Sequence, residues 1–186
     1  MTGTGSDYRT VSSSPVCYAD VSGCTQFGWY LNLVSGNAYP LDPALPQTGN
    51  AAYAANPMVY EQVIFSPVVE SGAFIVNTTI PPATAPTMCF SSPASGWTMA
   101  LNPTTGGAFT NAFFGDTNGN FLTTAFGGSP TAVSGIALGG TGSPSLVQSG
   151  TQSYVVTQTV SGTGALVRNF PQGNNQGKRL TWIQKR

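Results

Sequence analysis

Short stretches of β-branched and aromatic residues, each bounded by Gly, Pro or Asn, are the feature that most constrains how this chain can fold. Four of them are AFIVNTTI (73–80), WTMAL (97–101), SYVVTQTV (153–160) and RLTWI (179–183). No helical periodicity extends beyond two turns, and only AAYAA (51–55) would suit a single helical turn. Many short apolar stretches separated by turn residues predict an all-β fold.

The composition agrees with this class. Only 6% of the 186 residues are charged, against roughly a quarter in an ordinary soluble domain. Gly, Ser, Thr, Asn and Pro replace the missing charge, while aromatic residues stay at 11%. A disordered chain would be depleted of aromatic and β-branched residues, so this chain is expected to build a packed core.

Charge and hydropathy also restrict the partners. The net charge is zero and no basic stripe runs along the chain, which argues against nucleic acid. Basic residues do crowd the last nine positions, 178–186, which we interpret as a solvated tail. No apolar run approaches the roughly 18 residues of a membrane span. The start, MTGTGSDYRT, has no apolar signal region. The low charge and the Asn/Thr/Gly richness nevertheless predict an extracellular protein, exported by a signal that is not present in this chain.

A pattern that occurs twice in the sequence refines the fold prediction. GWYLNLVSGNAY (28–39) and GWTMALNPTTGGAF (96–109) each contain Gly-Trp, an apolar strand, an Asn, a turn with Gly and an aromatic residue. Such a hairpin forms the outer half of a β-propeller blade, so we predict a partial propeller of four-stranded blades with long loops. Trp29 and Trp97 would then occupy equivalent positions. The blade around the second copy would use strands at 60–67, 72–82, 96–102 and 106–114. We expect 127–151 to be mostly loop, with strands at 133–138 and around 145–148.

Six motifs carry a resemblance to a known family. In order they are VIFSPVVESGAFIVNTTIPP, a Cys in a loop, SGWTMALNPTTGGAF, FGDTNGNF, SGIALGGTGSPSLV and GKRLTWIQKR, with GWYLNL preceding them. This order resembles the C-terminal β-propeller domain of the PilY/PilC family of type IV pilus tip and assembly proteins. The resemblance covers nearly the whole chain and implies a partial propeller domain over 17–186, after a flexible segment at 1–16.

The resemblance implies a role in fimbrium biogenesis and cell adhesion. Minor pilins, pilus tip proteins and a host or abiotic surface would be its partners, at the pilus tip on the cell surface. The chain lacks the Arg-Gly-Asp tripeptide found in some relatives, so integrin-type recognition does not carry over.

The stretch FFGDTNGNF contains the one candidate metal loop. Asp116, Asn118 and Asn120 alternate as in an oxygen-ligand calcium loop, and the resembled family carries such a loop here. In this chain the loop is degenerate, since Phe121 replaces the expected Gly and Thr124 the closing acid. A cation site needs several negative charges, so we favour an Asx-rich hairpin turn and no cofactor, with calcium as the alternative.

Three cysteines add a redox prediction. Cys17 and Cys24 bracket the loop CYADVSGC, and this spacing allows a local disulfide in an oxidising compartment. Cys89 would then be free or paired outside the chain. A zinc site would need a fourth ligand, and the chain has no His.

The sequence contains few candidate catalytic side chains, and we predict that the chain is not an enzyme. Without His, acid–base work would fall to the six acids, which form no close pair in the sequence. Glu61 and Glu70, which flank the turn SPVVES, are expected to be exposed. The sequon NTT (77–79) is interpreted as strand sequence. Phe74, Trp97, Phe109 and Phe113 could line a sugar-binding face, but we expect them to pack in the core.

Two readings of other classes stay open. The first is a carbohydrate-binding receptor module of a phage or bacterial surface fibre, which low charge, Asn/Thr/Gly richness and aromatic residues fit equally well. The second is a fragment of a quinoprotein-type propeller enzyme, which shares the Trp-led hairpin but would lack catalytic residues here.

Overall fold

The structure is a computed structural model that describes residues 8–12, 16–17, 23, 25–33, 61–81, 94–126 and 129–172. These residues form antiparallel strands, and none of them is helical, which confirms the predicted all-β class. The strands are β1 (Tyr8–Arg9), β2 (Val68–Glu70), β3 (Ala73–Ile80), β4 (Ser95–Leu101), β5 (Thr123–Phe126), β6 (Ser129–Ala132), β7 (Gly135–Ile136), β8 (Gly140–Ser149), β9 (Gln152–Thr159) and β10 (Gly164–Asn169).

The strands are arranged in three sheets. Within the described part of the chain, the main sheet has five strands in the order β1-β7-β4-β3-β2, the second sheet has three in the order β10-β9-β8, and β5 pairs with β6 alone. The hairpin β3–β4 is central, with register pairs from Phe74↔Leu101 to Ile80↔Ser95. Part of the segment 1–16 that the sequence predicts to be flexible belongs to the main sheet, because Tyr8 and Arg9 pair with Ile136 and Gly135.

Both faces of β3 and β4 are covered, so these strands are buried along most of their length rather than at alternate positions. One face contributes to a cluster shared with the second sheet: Ala73, Ile75, Ala100, Phe113, Phe114, Val133, Ile136 and Val155. The opposite face holds Val76, Met99 and Leu101, against which Val11, Trp29, Leu31, Phe74 and Trp97 pack. The predicted core roles of Phe74, Trp97, Phe109 and Phe113 are therefore confirmed. Asn77 is fully buried within β3, so the sequon is strand sequence, as expected.

Strand β8 corrects the expectation that 127–151 is mostly loop. It runs over ten residues despite Gly142 and Pro144, because the register with β9 shifts between Thr141 and Ser145. A β-bulge leaves a residue outside the hydrogen-bonded ladder and so accommodates a proline, which cannot donate a backbone bond. The Gly/Pro signal marked a bulge in this strand rather than its end.

The blade arrangement drawn from the sequence is wrong in its details. Trp97 lies in β4, whereas Trp29 lies outside any strand, so the two do not occupy equivalent strand positions. Instead, Trp29 packs edge-on against Phe74 with 5.7 Å between ring centroids and donates its indole N–H to the Pro103 carbonyl at 3.0 Å. Both tryptophans thus contact one apolar cluster.

Other predicted strands also differ. Segment 60–67 contributes a single bridge, Gln62↔Thr79, and 106–114 a single bridge, Phe114↔Asn169. The sheets contain five, three and two strands rather than four each. The possible helical turn at 51–55, the strand at 179–183 and Trp182 lie outside the described residues.

One core position is expected to be improved by substitution. Asn169 is 2% exposed, and neither its Oδ1 nor its Nδ2 has a hydrogen-bond partner among the described residues. A buried polar group without a partner costs about 1–3 kcal/mol. We therefore expect Asn169→Val to raise the free energy of unfolding by about 1 kcal/mol, measured by urea denaturation. Asn102→Val is the matched control, since Asn102 accepts from the Thr104 N–H at 2.9 Å, and it should lower stability. A loss of stability in Asn169→Val would show that this amide has a partner.

Candidate functional site

The candidate calcium loop forms a compact hairpin turn centred on the Asp116 carboxylate. Gly115 pairs with Phe121 at the base of the turn, and the Asp116 N–H donates to the Asn120 carbonyl at 3.0 Å. The backbone N–H groups of Asn118 and Asn120 donate to Asp116 Oδ1 at 2.9 and 2.7 Å. The Asn120 side-chain amide donates to Asp116 Oδ2 at 3.1 Å. These are the bonds expected of an Asx-type turn.

Gly119 gives the turn its shape and its closest neighbour. Its φ of 88° lies in the left-handed region, which a side chain would disfavour. A Cβ at this position would also lie 2.4 Å from Nη1 of Arg168 on β10. The missing side chain therefore lets a guanidinium lie directly against the turn. Phe121 fixes the other side, with its ring 4.6 Å from that of Phe170.

These bonds keep Asp116 ionised. Donation from the Asn120 backbone and side chain lowers the pKa of Asp116; desolvation opposes this effect, and the Asn118 and Gly119 N–H groups lower the pKa by smaller amounts. A carboxyl with a lowered folded-state pKa stabilises the fold above its unfolded pKa and loses that contribution as the pH falls through the folded value. The turn is therefore expected to loosen only in acid.

The residues of this turn do not fit a calcium ion well. Calcium takes about six to eight oxygen ligands, several of them carboxylates. Here Asp116 supplies a single carboxylate, its two oxygens already accept N–H donors, and Asn120 presents its amide donor to it. Among the described residues no group of three or more Asp, Glu, Cys or His side chains could hold a metal. The donor set suits a turn closed by hydrogen bonds better than a cation.

Calcium is accordingly expected to leave the thermal stability almost unchanged. A site with a Kd of about 0.1 mM would raise the melting temperature by a few degrees at about 1 mM calcium. We expect a shift below about 1 °C by calorimetry, equal in the wild type and in Asp116→Ala. A larger shift that Asp116→Ala abolishes would show that Asn118, Asn120 and backbone carbonyls complete a calcium site.

A cleft that sequence reasoning did not predict opens beside the turn. It has a volume of about 560 Å³ and lies between the Asp116 turn, β1 and the strands β9 and β10. Its polar lining includes Asp116, Gln152 and Arg168, and its aromatic lining is Tyr8 and Tyr154. This volume lies within the range of about 300–1,000 Å³ that is usual for ligand pockets, and the lining mixes apolar and polar groups. No local motif indicates the cleft, because its residues come from five separate stretches of chain.

The predicted disulfide falls partly outside the described residues. Cys17 is disulfide-bonded, and its backbone N–H donates to the Gln26 carbonyl at 2.8 Å, which closes the loop between them. Cys24 and Cys89 lie outside the described part of the chain, so the pairing of Cys17 with Cys24 stays a prediction.

Peptide mapping tests that pairing. We expect Cys17 and Cys24 to resist alkylation until a reductant is added, because a short loop favours closure under oxidising conditions. Mass spectrometry of the unreduced digest should recover the two cysteines in one linked peptide. Labelling of all three cysteines without reductant, or a linked peptide containing Cys89, would contradict the local disulfide.

Of the other acids, Glu70 is exposed as expected, but Glu61 is not. The Glu61 side chain is fully buried and receives Arg9 Nη1 at 2.6 and 2.7 Å on its two oxygens. Thr78 Oγ1 donates to Glu61 Oε1, and the Arg9 guanidinium lies 3.9 Å from the centroid of the Trp97 ring. Sequence reasoning missed this pair, because its members are 52 positions apart. The contacts satisfy Glu61 as a structural group of the main sheet.

Within the described residues, no helix is long and apolar enough to cross a membrane. The chain matches no protein-family model, and no curated protein sequence matches it significantly. Among solved structures, it is similar to the crystal structure of the C-terminal domain of PilY1 from Pseudomonas aeruginosa, with 20% identity and a TM-score of 0.47. The match covers 62% of this chain and 21% of that chain. At this identity and TM-score the comparison does not assign the chain to a family.

Proposed function

We propose that this chain is a non-enzymatic structural and adhesion module of a type IV pilus biogenesis and surface-attachment protein, built as part of a β-propeller. The observation that supports it is the order of the sequence motifs, which correspond to successive elements of an all-β fold. GAFIVNTTIPP and SGWTMALN provide β3 and β4, FGDTNGNF provides the Asp116 turn, and SGIALGGTGSPSLV provides β7 and most of β8. Minor pilins and pilus tip proteins would be its partners, at the cell surface.

The edge of the main sheet offers a surface for such a partner. Strand β2 lies at this edge, and Val69 on it is 67% exposed. Val63 and Ile64, just before β2, are 45% and 59% exposed. Exposed apolar side chains beside a strand edge that no other described strand pairs with are typical of protein interaction surfaces. A strand or loop of a partner could pair with this edge.

Gene deletion tests the proposal in the source organism. We expect deletion to reduce the number of surface pili seen by electron microscopy and the attachment of cells to a surface. Complementation with the wild-type gene should restore both, whereas Val69→Lys should restore them poorly if β2 is the partner edge. Glu70→Lys, which changes a side chain already charged and exposed, is the control. Normal piliation and attachment in the deletion strain would refute the proposal.

A further inference from the structure

A guanidinium that has no hydrogen-bond or ion-pair partner among the described residues lies in the cleft beside the Asp116 turn. Arg168 is half-buried there, and its side chain forms no hydrogen bond or ion pair with any other described residue. Its position is nevertheless fixed. It packs against the Phe170 ring, 5.5 Å from the ring centroid, and against the backbone of Gly119. A positioned cation with unused donors is suited to bind a planar anion such as a carboxylate.

The neighbours of Arg168 restrict what that anion can be attached to. Tyr154 is its register partner on β9, so the two side chains lie side by side on one face of the second sheet. The Tyr154 hydroxyl donates to Gln152 Oε1, which orients the ring and leaves the Gln152 amide N–H groups as donors. Tyr8 and Leu122 add apolar surface. An aromatic face beside planar polar groups matches a pyranose ring, which has an apolar face and a rim of hydroxyls.

Asp116 imposes a second condition. Its carboxylate also lines the cleft and stays ionised, so it would repel an anionic group placed next to it. The Asp116 carboxylate can instead accept a hydrogen bond from a hydroxyl group. A fitting ligand therefore carries one carboxylate at the Arg168 end and hydroxyl groups at the Asp116 end.

We propose that this cleft binds a saccharide that carries a carboxylate group, with Arg168 pairing to the carboxylate and Tyr154 lying against the sugar ring. A free anion such as acetate would leave the tyrosines and Leu122 without a contact. A neutral sugar would cover the Arg168 donors without satisfying their charge, which is costly. The inference deepens the attachment role proposed above and rests on it, since an acidic saccharide is a surface that a cell could attach to.

Calorimetric titration of the full chain tests the proposal. The probes are digalacturonic acid and N-acetylneuraminic acid as two sources of the carboxylate, galactobiose as the matched neutral sugar, and acetate as the anion alone. We expect at least one acidic saccharide to bind about tenfold or more tightly than galactobiose and acetate, because galactobiose lacks the carboxylate that pairs with Arg168 and acetate lacks the sugar ring that lies against Tyr154. Which acidic probe binds identifies the source.

Variants separate the proposed contacts from the fold. Arg168→Gln should weaken binding of the acidic saccharide about tenfold or more, and Arg168→Lys, which keeps the charge but loses the planar fork, should lie between it and the wild type. Tyr154→Ala should weaken binding, whereas Tyr30→Ala, at a tyrosine 85% exposed and outside the cleft, should not. Circular dichroism and melting temperatures verify that each variant is folded.

Several outcomes would overturn the inference. They are equal affinity for acidic and neutral sugars, acetate binding as tightly as the acidic saccharide, and binding that is unchanged in both Arg168 variants. Absence of binding at roughly 10 mM of every probe, well above a Kd of about 1 mM, would also do so. Failure of the site with normal attachment by the intact protein would leave the proposed function standing. Loss of attachment on gene deletion together with saccharide binding would support both.

Discussion

Replacing Glu61 by alanine is expected to lower the free energy of unfolding by about 3–5 kcal/mol, the largest effect of any single charged position described here. The substitution leaves Arg9 buried to 90% with no carboxylate, since its side chain is only 10% exposed. It also removes the acceptor of the Thr78 hydroxyl. In a domain of this size each kcal/mol lowers the melting temperature by roughly 2–4 °C, so a decrease of about 10 °C should be seen by calorimetry.

Two further variants show whether the effect comes from the ion pair. Glu70→Ala, on the exposed edge strand β2, is the matched control and should stay within about 0.5 kcal/mol of the wild type. Replacing Arg9 and Glu61 together by methionine removes both charges and keeps apolar volume. We expect this double variant to be more stable than Glu61→Ala. A Glu61→Ala variant as stable as Glu70→Ala would mean that Glu61 is hydrated rather than buried.

How far sequence reasoning reaches depends on whether the determining signal is local. The bounds of β3 were predicted at 73–80 and found at Ala73–Ile80, since a run of β-branched residues between Gly and Pro determines its own ends. The turn at Asp116 was also readable, because Asp, Asn and Gly form their bonds within a few residues. The local sequence is sufficient to predict both of these elements.

Features that depend on residues distant in the chain could not be predicted from the sequence. Trp29 shares its Gly-Trp pattern with Trp97, yet it meets Phe74 and Pro103 outside any strand, since tertiary packing overrides a local pattern. The sequence around Glu61 predicts an exposed acid, because its partner Arg9 lies on the distant strand β1. The cleft likewise exists only once β1, the Asp116 turn and β10 come together.

A buried amide joins the two larger sheets, and removing it is the second large effect we expect. Asn77 Nδ2 donates to the Gly142 carbonyl at 2.9 Å and to Thr157 Oγ1 at 2.7 Å, and Thr98 Oγ1 donates to Asn77 Oδ1 at 2.7 Å. The network thus spans β3, β4, β8 and β9. Gly140 is needed beside it, because a Cβ there would lie 2.8 Å from Asn77 Nδ2. Every polar atom of the Asn77 side chain is used, so this network is fully satisfied.

Asn77→Leu is therefore expected to cost about 3 kcal/mol or more, since it strands two hydroxyls and a carbonyl at about 1–3 kcal/mol each. Thr79→Val is the control from the same strand. Thr79 Oγ1 is buried without a hydrogen-bond partner among the described residues, so the variant should be as stable as the wild type or slightly more stable. Adding Thr98→Val and Thr157→Val to Asn77→Leu should recover part of the loss, because removing all partners of a buried bond costs less than removing one. Urea denaturation of the four proteins measures the series. If Asn77→Leu and Thr79→Val unfold at the same urea concentration, packing rather than the amide joins the sheets.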